Sequence, residues 1–120
     1  MTSDENIKCR TAPQPIGNYP HTRRVGDLLF LSGIGPRPAE GDKIPGTEID
    51  SNVQIRTINI EAQCHAVFAN VNAILENAGA NWNDLVDITV FLIDIEKNFD
   101  IYNRVYSEYF SANGPCRTTV

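Results

Sequence analysis

The sequence lacks the features that mark exported and membrane-spanning proteins. It has three cysteines, Cys9, Cys64 and Cys116, which are odd in number, far apart and without a C-x-x-C spacing. Neither a disulfide framework nor a zinc site is therefore indicated. The first residues are acidic and polar, whereas a signal peptide begins basic and then turns apolar. No apolar run approaches the thickness of a bilayer, so we expect a cytoplasmic protein that does not contact a membrane.

Positive charge is also scarce. The sequence has ten Lys and Arg residues and 15 Asp and Glu residues, which gives a net charge of -5. A general nucleic-acid-binding protein needs a basic face to neutralise phosphates, so this class is disfavoured. The length of 120 residues and the hydrophobic fraction of 42% suit one globular domain with one site or interface. An anionic ligand would have to find local positive charge.

Two segments have the apolar spacing of amphipathic helices. The first covers 60–78, with Asn59 as its N-cap and Gly79 as the left-handed residue that ends it. The second runs from about Asn98 to Ser111 and carries a stripe of residues spaced three and four apart. Such a stripe is far more often core than a site for an aromatic ligand. Its members are Phe99, Tyr102, Val105, Tyr106, Tyr109 and Phe110.

Strands are predicted in the remaining apolar and β-branched segments, 7–10, 28–32, 86–93 and 118–120. The stretch from Arg37 to Arg56 is too polar to be core, and we interpret it as an excursion that could form a hairpin. The resulting fold class is α+β, with two helices packed on one face of a sheet. Oligomerisation is the simplest way to cover the second face of that sheet.

Several short motifs have both a functional and a structural interpretation. Gly33-Ile34-Gly35 resembles the start of a dinucleotide fingerprint, but prolines follow it and no helix begins there. These glycines could instead line a pocket. Glu61 and His65 have the spacing of two metal ligands without a third, which favours a solvated pair. His21 could act as a base or a cation, and Cys116 beside Arg117 has no partner that would make it a nucleophile.

Arg117 is the most informative residue of the chain. It follows a Gly-Pro break and precedes Thr118-Thr119-Val120, so it stands at the mouth of a predicted strand. The planar guanidinium keeps its charge and matches a carboxylate or phosphate with two parallel hydrogen bonds. Arg117 is therefore a candidate for anion recognition. The alternative is a surface ion pair with Asp or Glu, which is the commoner role of an arginine.

Taken together, the motifs resemble those of the RidA/YjgF family of small enamine and imine deaminases, and the resemblance covers nearly the whole chain. It implies a chorismate-mutase-like α+β fold, a homotrimer with a site in each subunit cleft, and no metal or organic cofactor. The motifs that carry it are Ala12-Pro13, 15–19, 26–33, 61–63, 70–80, Val90-Phe91-Leu92, Tyr102-Asn103, Tyr109-Phe110 and 115–118.

Within that family, the excursion and the ending Arg117-Thr118-Thr119-Val120 are most similar to the 2-aminomuconate deaminases of aromatic-compound degradation. The implied enzyme is a hydrolase acting on C–N bonds. Its substrate tautomerises to an imine, water adds to the carbon, and ammonia leaves to give the 2-oxo product 4-oxalocrotonate. Two alternatives remain: a general deaminase of 2-imino and 2-enamino acids, and a module that binds small carboxylates without turnover.

The resemblance also implies roles for individual residues. Arg117 grips the substrate carboxylate, Tyr19 stands at the cleft, and Ser32 with Gly33 offers backbone contacts. Thr119 occupies a position where many relatives have cysteine, which suggests a hydroxyl or backbone contact with substrate. A second carboxylate needs a second cation, and the sequence leaves four candidates: Arg23, Arg24, Arg37 and His21.

Relatives in this family continue beyond the position of Val120 with another strand segment that includes a glutamate. We therefore expect 1–120 to be a single RidA-like domain that lacks this C-terminal segment.

Overall fold

The fold comes from a computed structural model, which describes residues 4–120. Within these residues, five strands precede the first long helix, and a sixth strand, the second long helix and a seventh strand follow it. Strands β1, β2 and β3 form an antiparallel sheet, β4 and β5 an antiparallel hairpin, and β6 and β7 a parallel pair. The elements are β1 Glu5–Ile7, β2 Thr22–Val25, β3 Leu28–Leu31, β4 Thr47–Ile49, β5 Ile55–Ile58, α1 Ile60–Asn77, β6 Asp87–Val90, α2 Ile95–Tyr109 and β7 Cys116–Thr119.

Helix α1 begins and ends as its sequence predicts. The Asn59 side chain accepts a hydrogen bond from the Ala62 amide at 3.0 Å, which caps the first turn. At the other end Gly79 has φ of 82°, in the left-handed region that glycine enters without steric cost. The amide of Ala80 then donates to the Leu75 carbonyl at 2.9 Å and satisfies the final turn.

Helix α2 begins at Ile95, three residues before the predicted start at Asn98. Asn98 is buried inside the helix rather than at its cap, and its side-chain amide donates to the Ile93 carbonyl at 3.0 Å. Asp94, which precedes the helix, has φ of 45°. The predicted start therefore lies almost one turn too late in the sequence.

The core lies between the helices and one face of the strands. Ile60, Cys64 and Phe68 of α1 pack against Tyr102 and Val105 of α2. A smaller cluster of Cys9, Ala12 and Ile74 is packed against Leu31 and Ile34 at the end of β3. Tyr106, Tyr109 and Phe110 line the main cluster, whereas Phe99 at the start of the stripe is 37% exposed, so five of the six stripe residues belong to the core. The α+β class with two helices on one sheet face is confirmed.

The opposite face of the strands is uncovered in the single chain. Leu28 and Phe30 of β3 are 59% and 58% exposed, and Phe91 after β6 is 83% exposed. Side chains alternate between the two faces of a strand, so these three belong to the face away from the helices. An apolar face of this kind on a small domain indicates an interaction surface.

The predicted boundaries needed correction at three places. Strand β2 was missed because its central residues, Arg23 and Arg24, give no apolar signal, yet it pairs with strands on both sides. Strand β1 ends at Ile7 because the Cys9 amide donates to the His21 imidazole instead of a neighbouring strand. Strand β6 is shorter than predicted, although Leu92 still donates to the Val120 carbonyl.

The excursion between Arg37 and Arg56 contains a hairpin, as its composition allowed. Strands β4 and β5 pair through an irregular register, and the Asp50 carboxylate accepts from the amides of Asn52 and Gln54 in the turn. The hydrogen bond from Gln54 leads the causes that lower the pKa of Asp50. Across residues 4–120, no helix is both long enough and apolar enough to span a membrane.

Candidate functional site

Arg117 lies on β7 beneath helix α2. In the parallel pair it stands opposite Ile88 of β6, and its side chain is partly buried on the helix-facing side. Its Nη2 donates to Oδ1 of Asn103 at 2.6 Å. Strand pairing therefore fixes the backbone of Arg117, and the Asn103 amide fixes its guanidinium.

Three aromatic rings of α2 surround the same guanidinium. Its central carbon lies 4.7 Å from the ring centroid of Tyr106, 5.4 Å from that of Tyr102 and 5.8 Å from that of Phe99. These distances are within the range of cation–π attraction. Because Phe99, Asn103 and Tyr106 are spaced four and three residues apart, one face of α2 presents them all to Arg117.

Arg117 forms no ion pair within the described residues. The ion pairs seen there join other residues, among them Arg104 with Glu61 and Arg56 with Asp50. The simplest alternative, a surface pair between Arg117 and a carboxylate, is therefore not what the protomer forms. A cation held by rings and an amide keeps its full charge available for an anion.

The phenols beneath Arg117 stay protonated over a wide pH range. Burial raises the pKa of Tyr102 to about 12, the charge of Cys64 adds to the increase, and the guanidinium opposes it. Burial likewise raises the pKa of Tyr106, again against the effect of Arg117. Neutral rings preserve the surroundings of the guanidinium without adding a competing negative charge.

Thr119 and Cys116 lie on opposite faces of β7. Thr119 is two residues beyond Arg117 and partly buried on the same face, where it pairs with Val90. Cys116 is exposed on the other face, and its amide donates to the Val86 carbonyl at 2.9 Å. Arg117 and Thr119 could therefore face one ligand, whereas the Cys116 thiol points away from them.

The other three residues predicted for the site meet in a pocket at the end of β3. The pocket is small and open to solvent, with a cavity volume of about 40 Å³. Tyr19, Ser32 and Gly33 all contribute to its wall. The full set of lining residues is Pro13, Pro15, Tyr19, Pro20, His21, Ser32, Gly33, Ile34, Gly35, Arg37 and Ile74. The glycines after β3 thus line a pocket, as their sequence suggested.

Backbone hydrogen bonds hold the pocket wall together. The Ser32 amide donates to the His21 carbonyl at 3.0 Å, and the Ser32 hydroxyl donates to the Pro20 carbonyl at 2.7 Å. These two bonds tie the proline-rich loop to the end of β3. A Cβ on Gly33 would meet nothing within 4 Å, so the pocket is open at the position where a substrate could approach its backbone.

His21 is a structural residue in this wall. It is 5% exposed, its Nδ1 accepts from the Cys9 amide at 3.0 Å, and its Nε2 faces the Pro13 carbonyl at 2.8 Å. An imidazole that accepts at Nδ1 and donates at Nε2 is the neutral tautomer. Because backbone groups occupy both ring nitrogens, neither is free to bind a substrate carboxylate, and His21 does not match the role of a second cation.

Arg23 and Arg24 are also occupied elsewhere. Arg23 donates to the Asn6 side chain, and Arg24 donates to the Ala78 carbonyl while facing Glu5 at 3.5 Å. Neither residue belongs to the pocket wall. Of the four candidates for a second cation, Arg37 is the one that lines the pocket and is permanently charged, and it forms no ion pair within residues 4–120.

Within one protomer the predicted site residues form two separate groups. Arg117 contacts Asn103 and the three rings of α2, and none of these residues lines the pocket that holds Tyr19, Ser32 and Gly33. Sequence reasoning missed the role of Asn103, which appeared only as part of a motif. Its position on the Arg117-facing side of α2 would have been visible from the helical spacing.

Metal-binding groups are not found in the described part of the chain, where no three His, Cys, Asp or Glu side chains cluster. Glu61 and His65 have different partners despite their spacing. Glu61 accepts from Arg104 at 2.9 Å, whereas His65 contacts Tyr109 and lies 3.8 Å from Glu108. They act as surface contacts between α1 and α2.

Comparison with known families gives one matching model, described as Endoribonuclease L-PSP, over residues 9–120. Curated relatives match over almost the whole chain. A RutC family protein of Pyrococcus abyssi is 38% identical over 117 residues, which cover 97% of this chain and 82% of the relative. A protein of Dermatophagoides farinae named 2-iminobutanoate/2-iminopropanoate deaminase is 32% identical over 121 residues, with 100% and 84% coverage.

Solved structures show the same fold. Escherichia coli TdcF with bound serine superposes with a TM-score of 0.79 at 28% identity, covering 97% of this chain and 84% of that chain. The YjgF gene product of Escherichia coli gives the same TM-score, identity and coverage. The arrangement of two helices on one sheet face is therefore shared with both proteins.

Proposed function

The chain belongs to the RidA/YjgF family, and on that premise we propose that it is a hydrolytic deaminase of 2-imino acids whose substrate is 2-aminomuconate. The observation that carries the proposal is Arg117, a partly buried guanidinium held by Asn103 and aromatic rings with no acidic partner among residues 4–120. A carboxylate next to the reacting carbon is the ligand that such a group binds best. A relative named as an imino-acid deaminase supports the same chemistry.

The proposed reaction needs a positioned carboxylate and a water molecule. The enamine form of 2-aminomuconate tautomerises to the imine by gaining a proton on carbon and losing one from nitrogen. Water then adds across the C=N bond, its oxygen to the carbon and one of its protons to the nitrogen. The second proton moves from the oxygen to the nitrogen as the C–N bond breaks, which releases ammonia and leaves the C=O of 4-oxalocrotonate. Arg117 holds the carboxylate and withdraws charge from the adjacent carbon, which favours attack by water.

The pocket supplies the remaining contacts in this proposal. Tyr19 offers a phenol at the cleft, and Ser32 with Gly33 offers backbone close to the substrate. Thr119 lies on the Arg117 side of β7 and contributes its hydroxyl or backbone. No metal ion or organic cofactor takes part in the reaction as written.

The site is completed in our proposal by a second copy of the chain. Arg117 and the pocket are separate in the protomer, and the strand face that carries Leu28, Phe30 and Phe91 is uncovered. A homotrimer that packs these faces together would bring Arg117 of one protomer to the pocket of the next. It would also remove the exposed apolar face from water.

Three other functions are less well supported. The family model is described as an endoribonuclease, but the net charge of -5 opposes binding to a phosphate backbone. A general deaminase of 2-imino acids would use the same Arg117 contact but would not need a second cation. A non-catalytic module would bind small carboxylates and release no ammonia.

The direct test follows ammonia release from freshly generated 2-aminomuconate, with 2-iminopropanoate as the second substrate. We expect release well above the spontaneous rate, and faster turnover of 2-aminomuconate than of 2-iminopropanoate. Release at the spontaneous rate from both substrates would contradict the deaminase. Equal preference would favour the general enzyme, and carboxylate binding without release would favour the binding module.

A further inference from the structure

The residues that line the pocket at the end of β3 carry a net positive charge, although the whole protein is acidic. Arg37 is the only Lys, Arg, Asp or Glu among the residues that line it, and the one histidine, His21, has both ring nitrogens engaged with backbone groups. The whole chain carries a net charge of -5. A wall with one cation and no acid therefore favours an anionic group at this position.

Most hydrogen-bond donors of the Arg37 side chain are unused. Its Nη2 donates to the Gln14 carbonyl at 3.0 Å, and no carboxylate of residues 4–120 lies within ion-pair distance of it. A guanidinium has five N–H donors, so one bond to a neutral carbonyl leaves most of them unused. Two of its nitrogens can still donate parallel hydrogen bonds to the two oxygens of a carboxylate.

The backbone of Arg37 is fixed by helix α1. The Asn70 side-chain amide donates to the Gly35 carbonyl at 3.0 Å and to the Arg37 carbonyl at 2.8 Å. Pro36 and Pro38 flank the arginine, and a following proline restricts its backbone to extended conformations. The loop therefore places Arg37 at one position of the pocket rim, which lowers the entropy lost on binding.

We propose that Arg37 binds a second carboxylate of the substrate and makes the site selective for dicarboxylic imino acids. In this arrangement Arg117 holds the carboxylate beside the reacting carbon, and Arg37 holds the one at the far end of the molecule. The inference rests on the proposed function, because it assigns the substrate class of that same site. Arg37 is a specificity residue here, since it contacts the substrate far from the C=N bond.

The test compares two substrates in three proteins. Arg37→Gln keeps a polar side chain of similar reach but removes the charge, and Arg10→Gln makes the same change at an exposed arginine outside the pocket. With 2-aminomuconate, we expect Arg37→Gln to lower kcat/KM about 10- to 100-fold, chiefly through a higher KM. With 2-iminopropanoate, which has one carboxylate, kcat/KM should stay within about twofold of wild type.

Partial rescue by Arg37→Lys, with a KM between those of the wild type and the glutamine variant, would further support a charge contact. Equal losses on both substrates, no loss on either, or the same loss in Arg10→Gln would overturn the role of Arg37. The wild-type protein separates this failure from failure of the proposed function. If the wild type turns over 2-iminopropanoate but does not prefer 2-aminomuconate, selectivity for dicarboxylates is contradicted and deaminase activity is supported. If it turns over neither substrate, both proposals are contradicted.

Discussion

Arg117 and Arg37 are both guanidinium groups without an acidic partner among residues 4–120, but their surroundings differ. Arg117 is partly buried on a strand, with an amide at 2.6 Å and three aromatic rings around it. Arg37 is exposed on a loop rim and makes one bond to a backbone carbonyl. The core fixes the first side chain, whereas only the backbone of the second is fixed.

This difference suggests that the two arginines have different roles in the proposed reaction. A charge that must polarise a reacting carbon gains from rigid placement, because small displacements cost catalytic rate. A charge that selects among substrates can keep rotational freedom and adapt to the far end of the molecule. Arg117 matches the first requirement and Arg37 the second.

The largest effect should come from Arg117→Ala. Removing the carboxylate contact should lower kcat/KM about 100-fold or more on both mono- and dicarboxylic substrates. Arg104→Ala is the matched control, because Arg104 forms an exposed ion pair with Glu61 and should change activity less than about twofold. Steady-state kinetics on both substrates measures the two variants. Full activity of Arg117→Ala would place the carboxylate site elsewhere.

A carboxylate introduced beside Arg117 should compete with the substrate. Asn103→Asp is nearly isosteric and puts a negative charge where Oδ1 now accepts from the guanidinium. We expect KM to rise about tenfold on both substrates, because an internal ion pair must be displaced. Asn113→Asp adds the same charge at an exposed position and should have no such effect. Similar KM values in the two variants would contradict the proposed role of Arg117.

The two arginines should also differ in what they contribute to stability. Arg117→Ala removes contacts with three rings and should lower the free energy of unfolding by about 1–2 kcal/mol. Arg37→Ala removes one exposed bond and should change it by less than about 0.5 kcal/mol. Urea denaturation of both variants measures the difference. Equal losses would show that the core does not hold Arg117 more firmly than the loop holds Arg37.

The smallest effect at neutral pH should come from titration of two groups in the core, Cys64 and Tyr102. The pKa of Cys64 is raised from 9.0 and that of Tyr102 from 10.0 to about 12, in both cases mainly by burial. A raised pKa means that the folded state holds the proton more tightly, so this stabilisation is complete below the unfolded pKa. Melting temperature should hold constant up to about pH 9 and fall as the pH rises toward about 12. A flat profile through this range would contradict the burial of these groups.

Much of the fold could be predicted from sequence because its signals are local. The spacing of apolar residues and the Asn59 and Gly79 ends determine α1 within its own segment. Strand β2 could not be predicted in this way, since Thr22 to Val25 become a strand only by pairing with β1 and β3. The contact of Asn98 could not be predicted either, because its amide donates to the Ile93 carbonyl from inside the helix.

The candidate site was predictable in its residue types but not in its geometry. Arg117 and the Ser32-Gly33 turn stood out as chemical features, and the structure places Tyr19 beside the turn. Choosing Arg37 over Arg23, Arg24 and His21 required knowledge of their hydrogen-bond partners, which come from distant parts of the chain. The separation of Arg117 from the pocket likewise depends on tertiary packing.

The central claim is that one site uses Arg117 of one protomer and the pocket of another, and subunit complementation tests it most directly. Arg117→Ala removes the arginine, and Gly33→Phe fills the pocket, where a Cβ meets nothing within 4 Å. Each variant alone should be an inactive trimer. Refolding them together in equal amounts should restore about a quarter of wild-type activity, because half of the arginines and half of the pockets are intact and pair at random. A mixture as inactive as the separate variants would contradict a shared site.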